Sequence, residues 1–405
     1  MKTLLRGIAL ISASQFFPIS AFSQGSLAPP GSPAPSMKSL DQIEARTPIS
    51  SLPYTIITQG SYYLTGNLTA SGSGAGITIE ADNVTLDLNG FALIGGGSGT
   101  VAGINVPVAQ KNIYIRNGTV RGWTNGGVQA ANTSNSILEK LRVSDNASNN
   151  GLVAGTGSTI KDCVATDHTN YYGLTAGPSS TVKDCVAASN GLGIGSGDNC
   201  TIIGCTASAN ITGIGFSLGN NVTIVDCTAS NGNDVGIAVA ARSSVLHCTV
   251  SANVEDAIDT GASCTVINCT AAGNGGVGVN ATNGCTISGN TVRGNGTGIV
   301  VTGGCYISNN LIDVNANDGI QVSGSNNRIE ANNCTFNDEG IVLAATGSHN
   351  LVIRNTADGN TTANYDIAAN NVVGTIVSAP LSVAIKGKTG GAGVGTTDPW
   401  ANLSY

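Results

Sequence analysis

The segments Lys161-Asp162-Cys163-Val164-Ala165 and Lys183-Asp184-Cys185-Val186-Ala187 set an ammonium beside a carboxylate twice, 22 residues apart. If the two copies lie on neighbouring strands, equivalent side chains stand about 5 Å apart on one face. Hard carboxylate oxygens bind Ca²⁺, and a nearby lysine could abstract a proton alpha to a uronate carboxylate. Asp162 and Asp184 are thus candidate calcium ligands and catalytic groups, with Lys161 and Lys183 beside them. A solvated face of alternating charge is the competing reading, and two aspartates are thin coordination for Ca²⁺.

A second group gathers around Trp123, Asp145, Asn146, Asp167, His168, Tyr171 and Tyr172. Aromatic faces flanked by carboxylates and amides suit sugar rings, stacking on the C–H face and bonding hydroxyls. The rival expectation is that Trp123 and the two tyrosines cover an apolar edge, and that His168 is a turn residue rather than a base. His247, one repeat below Asp226, is the remaining histidine with an evident carboxylate neighbour.

A repeat must position these groups. A landmark runs through Cys163, Cys185, Cys205, Cys227, Cys248, Cys269, Asn290, Asn310, Asn332 and Asn355 at steps of 20 to 23 residues. Three residues earlier every unit carries Ile or Val, from Ile160 to Val352, and two residues later stands a second apolar column, from Ala165 to Ala357. Alternation with Thr marks short strands. Further on, a Gly followed by Leu, Ile or Val starts another strand. Five residues past the landmark Asn recurs (Asn190, Asn210, Asn253, Asn274, Asn295, Asn315, Asn337, Asn360), with His168 and Gly232 in the same slot. Asn tolerates the left-handed backbone of a sharp bend, and its amide can bond the copies above and below. An asparagine ladder at a turn is expected.

Composition agrees with many small repeats rather than a large mixed core. Charged residues are 10% and aromatics 4% of 405 residues, with 56 Gly and 43 Asn. A helical globular protein is excluded by that poverty of charge, and a net charge of −7 disfavours nucleic acid as a partner. A unit of about 21 residues cannot bury its apolar face alone, so copies must stack strand upon parallel strand.

The period and the Asn ladder resemble the right-handed parallel β-helix of the pectate-lyase-like superfamily, over roughly Tyr54 to Val377. The resemblance implies an all-β solenoid and is specific for fold. About 13 rungs at about 4.8 Å are expected, spanning about 60 Å. It carries over no catalytic residue. The Gly-His-Gly and Arg-x-Lys segments of polygalacturonases, the Trp-Ile-Asp-His of pectate lyases and the Asp-Pro-His of mannuronan epimerases do not occur in this sequence.

At the start, Lys2 and Arg6, the apolar stretch Ile8 to Ile19 and Ala21-Phe22-Ser23 read as a secretory signal peptide, residues 1–23. The expected location is secreted, periplasmic or extracellular, with no transmembrane segment in the mature protein. Residues 24–38 read as a Pro/Ser/Gly linker, 39–59 as an N-terminal cap opening with a short helix at Ser39, 60–377 as the β-helix, and 378–405 as a C-terminal cap. Of 11 cysteines, six fall in the landmark column, and Cys200, Cys264, Cys285 and Cys305 form a second inward column. Stacked, buried, reduced thiols are expected, with inter-rung disulfides or a metal site as alternatives.

Three functions remain open: a non-catalytic protein that binds or sits among extracellular polysaccharide, a polysaccharide lyase, hydrolase or epimerase, and a structural or adhesive rod. No cofactor is implied beyond the calcium weighed above.

Overall fold

The computed structural model describes residues 44–97, 99–378 and 398–404. The described residues from Arg46 onward form one compact unit, a solenoid. The signal peptide, the linker and the helix expected at Ser39 lie outside the described residues.

Two parallel sheets run the length of the solenoid. One takes two short strands from each regular rung, such as Thr159–Lys161 and Val164–Thr166; the other takes one, such as Tyr172–Ala176. Pairing is in register from rung to rung, Ile160 with Val182 and Ala165 with Ala187. Fifteen consecutive strands line the single-strand sheet, from Tyr54–Ile56 to Ala363–Ile367, where the repeat count gave about 13. The difference lies at the ends. Thr47–Ile49 pairs with the strand Gly60–Leu64, and Tyr54–Ile56 with Ile77–Ile79, so the expected N-terminal cap is itself part of the stack. At the other end Asn402–Ser404 returns onto Thr356–Asp358 and continues the landmark column with Asn402. No helix occurs among the described residues.

The core is the inward side chains of each rung. Ile160, Val182, Ile202, Ile224 and their successors are fully buried, as is the Ala column from Ala165. Each buried Ile or Val contributes about 1.5–3 kcal/mol, and repetition makes up for the small size of any one rung.

Corners are fixed by two devices. The residue before each landmark is left-handed throughout, from φ 52° at Asp184 to φ 69° at Gly289. Asp, Asn and Gly dominate there because their backbones tolerate this region. The second left-handed column lies four residues past the landmark, at Asp145, Asp167, Ser189 and Asn231, not at the Asn five residues past it as the sequence suggested. Those asparagines instead point inward as a hydrogen-bonded ladder.

The landmark column shows how such a ladder works. Asn310 Oδ1 accepts the backbone N–H of Asn290 at 3.0 Å and its Nδ2 at 2.9 Å, while Asn310 Nδ2 donates to Ile287 O at 3.0 Å. In the earlier rungs thiols do the same work. Cys185 N–H donates to Cys205 Sγ at 3.4 Å and the Cys205 thiol donates to Ile203 O at 3.3 Å. The two chemistries meet at Cys269, whose N–H donates to Asn290 Oδ1 at 2.8 Å. All 11 cysteines are buried and free. Burial alone pushes the Cys334 thiol well above its ordinary value.

This equivalence predicts a graded response. Asn310→Ala orphans the buried N–H of Asn290 and is expected to cost about 1–3 kcal/mol. Asn310→Cys, which installs the acceptor used by the earlier rungs, is expected to cost less than half as much in urea denaturation. Equal losses would mean that the thiols are mere filler.

Candidate functional site

The in-register pairing builds one outward column from Asp87, Arg116, Glu139, Lys161 and Lys183, each directly over the next. Below Lys183 it turns apolar, with Ile203, Val225 and Leu246. One group of ion pairs lies at the early rungs, and a second joins Glu330 to Arg328 and Arg354 much further along the same column. Asp87 is bridged by Arg46 at 3.5 Å and Arg116 at 3.0 Å, and Glu139 by Lys140 and Lys161, both at 3.5 Å. Tyr114 donates a short hydrogen bond to Glu139, and the Arg116 guanidinium lies 5.2 Å from the Tyr114 ring centre.

Two hollows open on this face. The first, about 420 Å³, is lined by Asp87, Tyr114, Arg116, Asn117, Glu139 and Lys140. The second, about 270 Å³, is lined by Gly90, Asn117, Gly118, Lys140, Arg142, Asp162 and Val164. Asn117 and Lys140 belong to both, so the hollows join into one shelf across four rungs. At about 4.8 Å per rung, the shelf spans about 15 Å.

Its electrostatics are uneven in depth. Two of the carboxylates are sunk, Asp87 and Glu139 having 8% and 15% of their side chains exposed, while Asp162 is 34% exposed and Arg116 and Lys140 stand up at 40% and 63%. Five cations (Arg46, Arg116, Lys140, Arg142, Lys161) meet three carboxylates (Asp87, Glu139, Asp162), in a chain whose net charge is −7. Glu139, Lys161 and Arg116 are held charged. Tyr114 first, then Lys161 and Lys140, keep Glu139 below the usual carboxylate range; Asp162 and Glu139 raise Lys161; and Tyr114, then Asp87, raise Arg116.

The sequence candidates divide across the structure. Lys161 and Asp162 belong to the shelf or its rim, paired with each other at 3.5 Å. Lys183 and Asp184 form a pair of their own at 3.8 Å in the next rung, so each aspartate already has an ammonium partner. Among the described residues no group of three or more His, Cys, Asp or Glu is arranged to hold a metal ion. His247 and Asp226 do meet, at 3.6 Å, in the open.

The aromatic group separates into an outside and an inside. Asp145, Asp167 and Tyr171 are exposed on the turn edge and Tyr172 is half-buried beside them. Trp123 is 1% exposed, which corrects its assignment as a sugar platform. The indole takes the ladder slot five residues past its landmark, where it packs on glycine backbone: a Cβ added at Gly76 would come within 2.6 Å of the ring. Asn146 Oδ1 accepts the backbone N–H of Trp123 at 2.9 Å, continuing the ladder.

His168 is likewise a ladder member and not an accessible base, being fully buried. Its Nδ1 faces Asn190 Oδ1 at 2.9 Å and its Nε2 faces Asn146 Nδ2 at 3.1 Å. An acceptor on one side and a donor on the other select the neutral ring protonated at Nδ1. Burial lowers its pKa, against the opposing influence of Asn190, Asp145 and Asp167. The sign of the consequence is fixed. The unfolded chain takes up a proton below about pH 6.5 that the folded ring refuses, so stability conferred at neutral pH is lost as the medium is acidified. The thermal midpoint of the natural chain should fall more between pH 7.5 and pH 5 than that of His168→Asn; parallel declines would contradict a buried neutral ring.

Arg116, Glu139, Lys140, Arg142, Asp87 and Tyr114 are not singled out by the sequence. Carrying the Lys161 column upward by one repeat at a time would have reached Glu139, Arg116 and Asp87, but the early units lack the Cys or Asn landmark that sets the register.

Residues 152–286 and 275–379, together more than half of the chain, match the family described as the right handed beta helix region. No curated protein matches the sequence. Solved structures with a similar fold include the A-module of the mannuronan C-5 epimerase AlgE4 of Azotobacter vinelandii, 14% identical over 81% of this chain and 90% of that one, with a TM-score of 0.39. A mutant of the periplasmic alginate epimerase AlgG is 12% identical over 77% of this chain and 75% of that one (TM-score 0.40). The Dettilon tailspike protein gp208 is 11% identical over 82% of this chain and 61% of that one (TM-score 0.29).

Proposed function

Because the chain belongs to the right-handed beta helix family, whose stacked rungs offer long outward columns of side chains, we propose that it binds extracellular polysaccharide along the early-rung face without turning it over. The observation that carries this reading is the shelf from Asp87 to Asp162, two joined hollows lined by hydrogen-bonding and charged groups. A small apolar ligand would find no enclosed apolar pocket there, whereas a polar polymer about three sugar units long could lie across four rungs. Tyr171, Asp145 and Asp167 on the turn edge are proposed to extend the contact.

Binding rather than catalysis is supported by the protonation states. A general acid or base works best with a pKa near the working pH. Glu139, Lys161 and Arg116 are all shifted the other way, deeper into their charged forms. Calcium held by Asp162 and Asp184 would have to displace Lys161 and Lys183, which makes it a weaker expectation than direct binding.

Amine acetylation tests the site. A retained polysaccharide should slow labelling of Lys140 and Lys161 relative to Lys111, and uniform labelling with the polymer bound would place the contact elsewhere. Among the described residues no helix is long and apolar enough to cross a membrane. Export through the N-terminal segment is proposed on the sequence alone.

A further inference from the structure

Lys140 occupies the corner slot before the landmark, where neighbouring rungs place Asn117, Asp162, Asp184 and Gly204, and its φ is 54°. A lysine there costs about 1–2 kcal/mol that Asn or Gly would largely avoid. Other residues besides Asn and Asp hold positive φ in this fold, Ala331 and His247 in this same slot among them, so what sets Lys140 apart is strain combined with its place in the shelf. Arg354, in the same slot at φ 59°, has structural compensation: Glu330 at 3.0 Å and the Trp400 ring at 4.1 Å. Lys140 has only a 3.5 Å contact with Glu139, a carboxylate already bonded by Tyr114 and Lys161. Its side chain is 63% exposed and lines both hollows. Arg142, two residues on, lines the second hollow and makes no ion pair among the described residues.

We infer that Lys140 is the specificity-determining residue of the shelf, and that the ligand is a polyanionic polysaccharide whose acid groups bind on either side of it, toward Arg116 in the first hollow and Arg142 in the second. The inference rests on the polysaccharide reading above and adds the sign of the charge and the residue that reads it. Asp87 and Glu139 neutralise the cations from below, and Asp162, the one carboxylate exposed on the shelf, is paired with Lys161, which leaves Lys140 and Arg142 available for charge-assisted hydrogen bonds to a carboxylate or sulfate. A neutral chain of the same shape would leave Lys140 and Arg142 partly desolvated without an acceptor, and is rejected on that ground.

The test compares the full natural chain, Lys140→Asn and Phe336→Asn on immobilised polygalacturonate, a mannuronate polymer and a sulfated galactan, each beside its esterified or desulfated counterpart. Phe336 also sits at positive φ, 54°, but on a late-rung turn, and serves as the control for relief of strain. Both substitutions should hold or raise the thermal midpoint. Only Lys140→Asn should weaken retention of the acidic polymer, by about tenfold at low salt. Acidic polymer held equally well by Lys140→Asn, or neutral and acidic forms held alike by the natural chain, would overturn the assignment while leaving polysaccharide binding in place. Retention of no polymer at all would overturn both.

Discussion

Trp123→Ala is expected to cost about 3–5 kcal/mol, at the top of the range for a core truncation. The indole is 1% exposed and lies against the backbones of Gly76 and Gly103, with its N–H toward Leu93 O at 3.4 Å. Glycine at those two positions lets the ring approach so closely that no neighbouring side chain could move in to fill the space. Removal also exposes the end of the ladder, because Asn146 Oδ1 would then bond a backbone N–H no longer shielded from water. Solenoid stability is close to a sum over rungs and their interfaces, so the loss should be local. Hydrogen exchange should quicken from Ile77 to Val128 and change little beyond Cys205. A loss below about 1 kcal/mol, or one spread evenly over all rungs, would show that the early rungs do not depend on this side chain.

The second large effect concerns binding. Lys140→Gln with Arg142→Gln is expected to lower affinity for an acidic polysaccharide by about 100-fold at low salt, since each lost charge-assisted contact is worth about 1.5–3 kcal/mol and 1.4 kcal/mol is tenfold. Both side chains are on the surface, and fold stability should stay within about 0.5 kcal/mol. The residual binding should also depend less on salt, because two of the exposed charges that attract the polymer are gone. An affinity within threefold of the natural chain would remove the shelf as the site. Comparable loss on a neutral polymer would mean that shape, not charge, is being read.

Much of the fold is legible in the chain itself, for a physical reason. In-register stacking forces every rung to solve the same packing problem with the same residue types, so Ile160, Val182 and Ile202 announce one another. The thiol-to-amide exchange at Cys269 and Asn290 is legible as a single column for the same reason. Where the repeat loosens, legibility ends. Thr47–Ile49 and Tyr54–Ile56 resemble a cap because neither carries a landmark, yet pairing alone makes them rungs.

The site is less legible, because exposure is decided by a one-residue difference in register. Trp123 and His168 fall in the inward slot, whereas Asp145 and Asp167 fall in the outward left-handed slot one position before it. Sequence proximity joins Asp167 to His168 and Asp145 to Asn146; the corner geometry sends them to opposite sides of the wall. The shelf itself depends on Asp87, Arg116 and Glu139, which stand 29 and 23 residues apart and meet only because each rung lies on the one before.

If the early-rung face holds an acidic polysaccharide and leaves it intact, one incubation shows it most directly: the full chain with polygalacturonate, a mannuronate polymer and a sulfated galactan, with and without Ca²⁺, read at once for retained polymer, unsaturated-product absorbance and new reducing ends. Retention of at least one acidic polymer, independent of Ca²⁺ and without product, is the predicted result. Accumulating product would make the protein an enzyme, and failure to retain any of the three would contradict the account altogether.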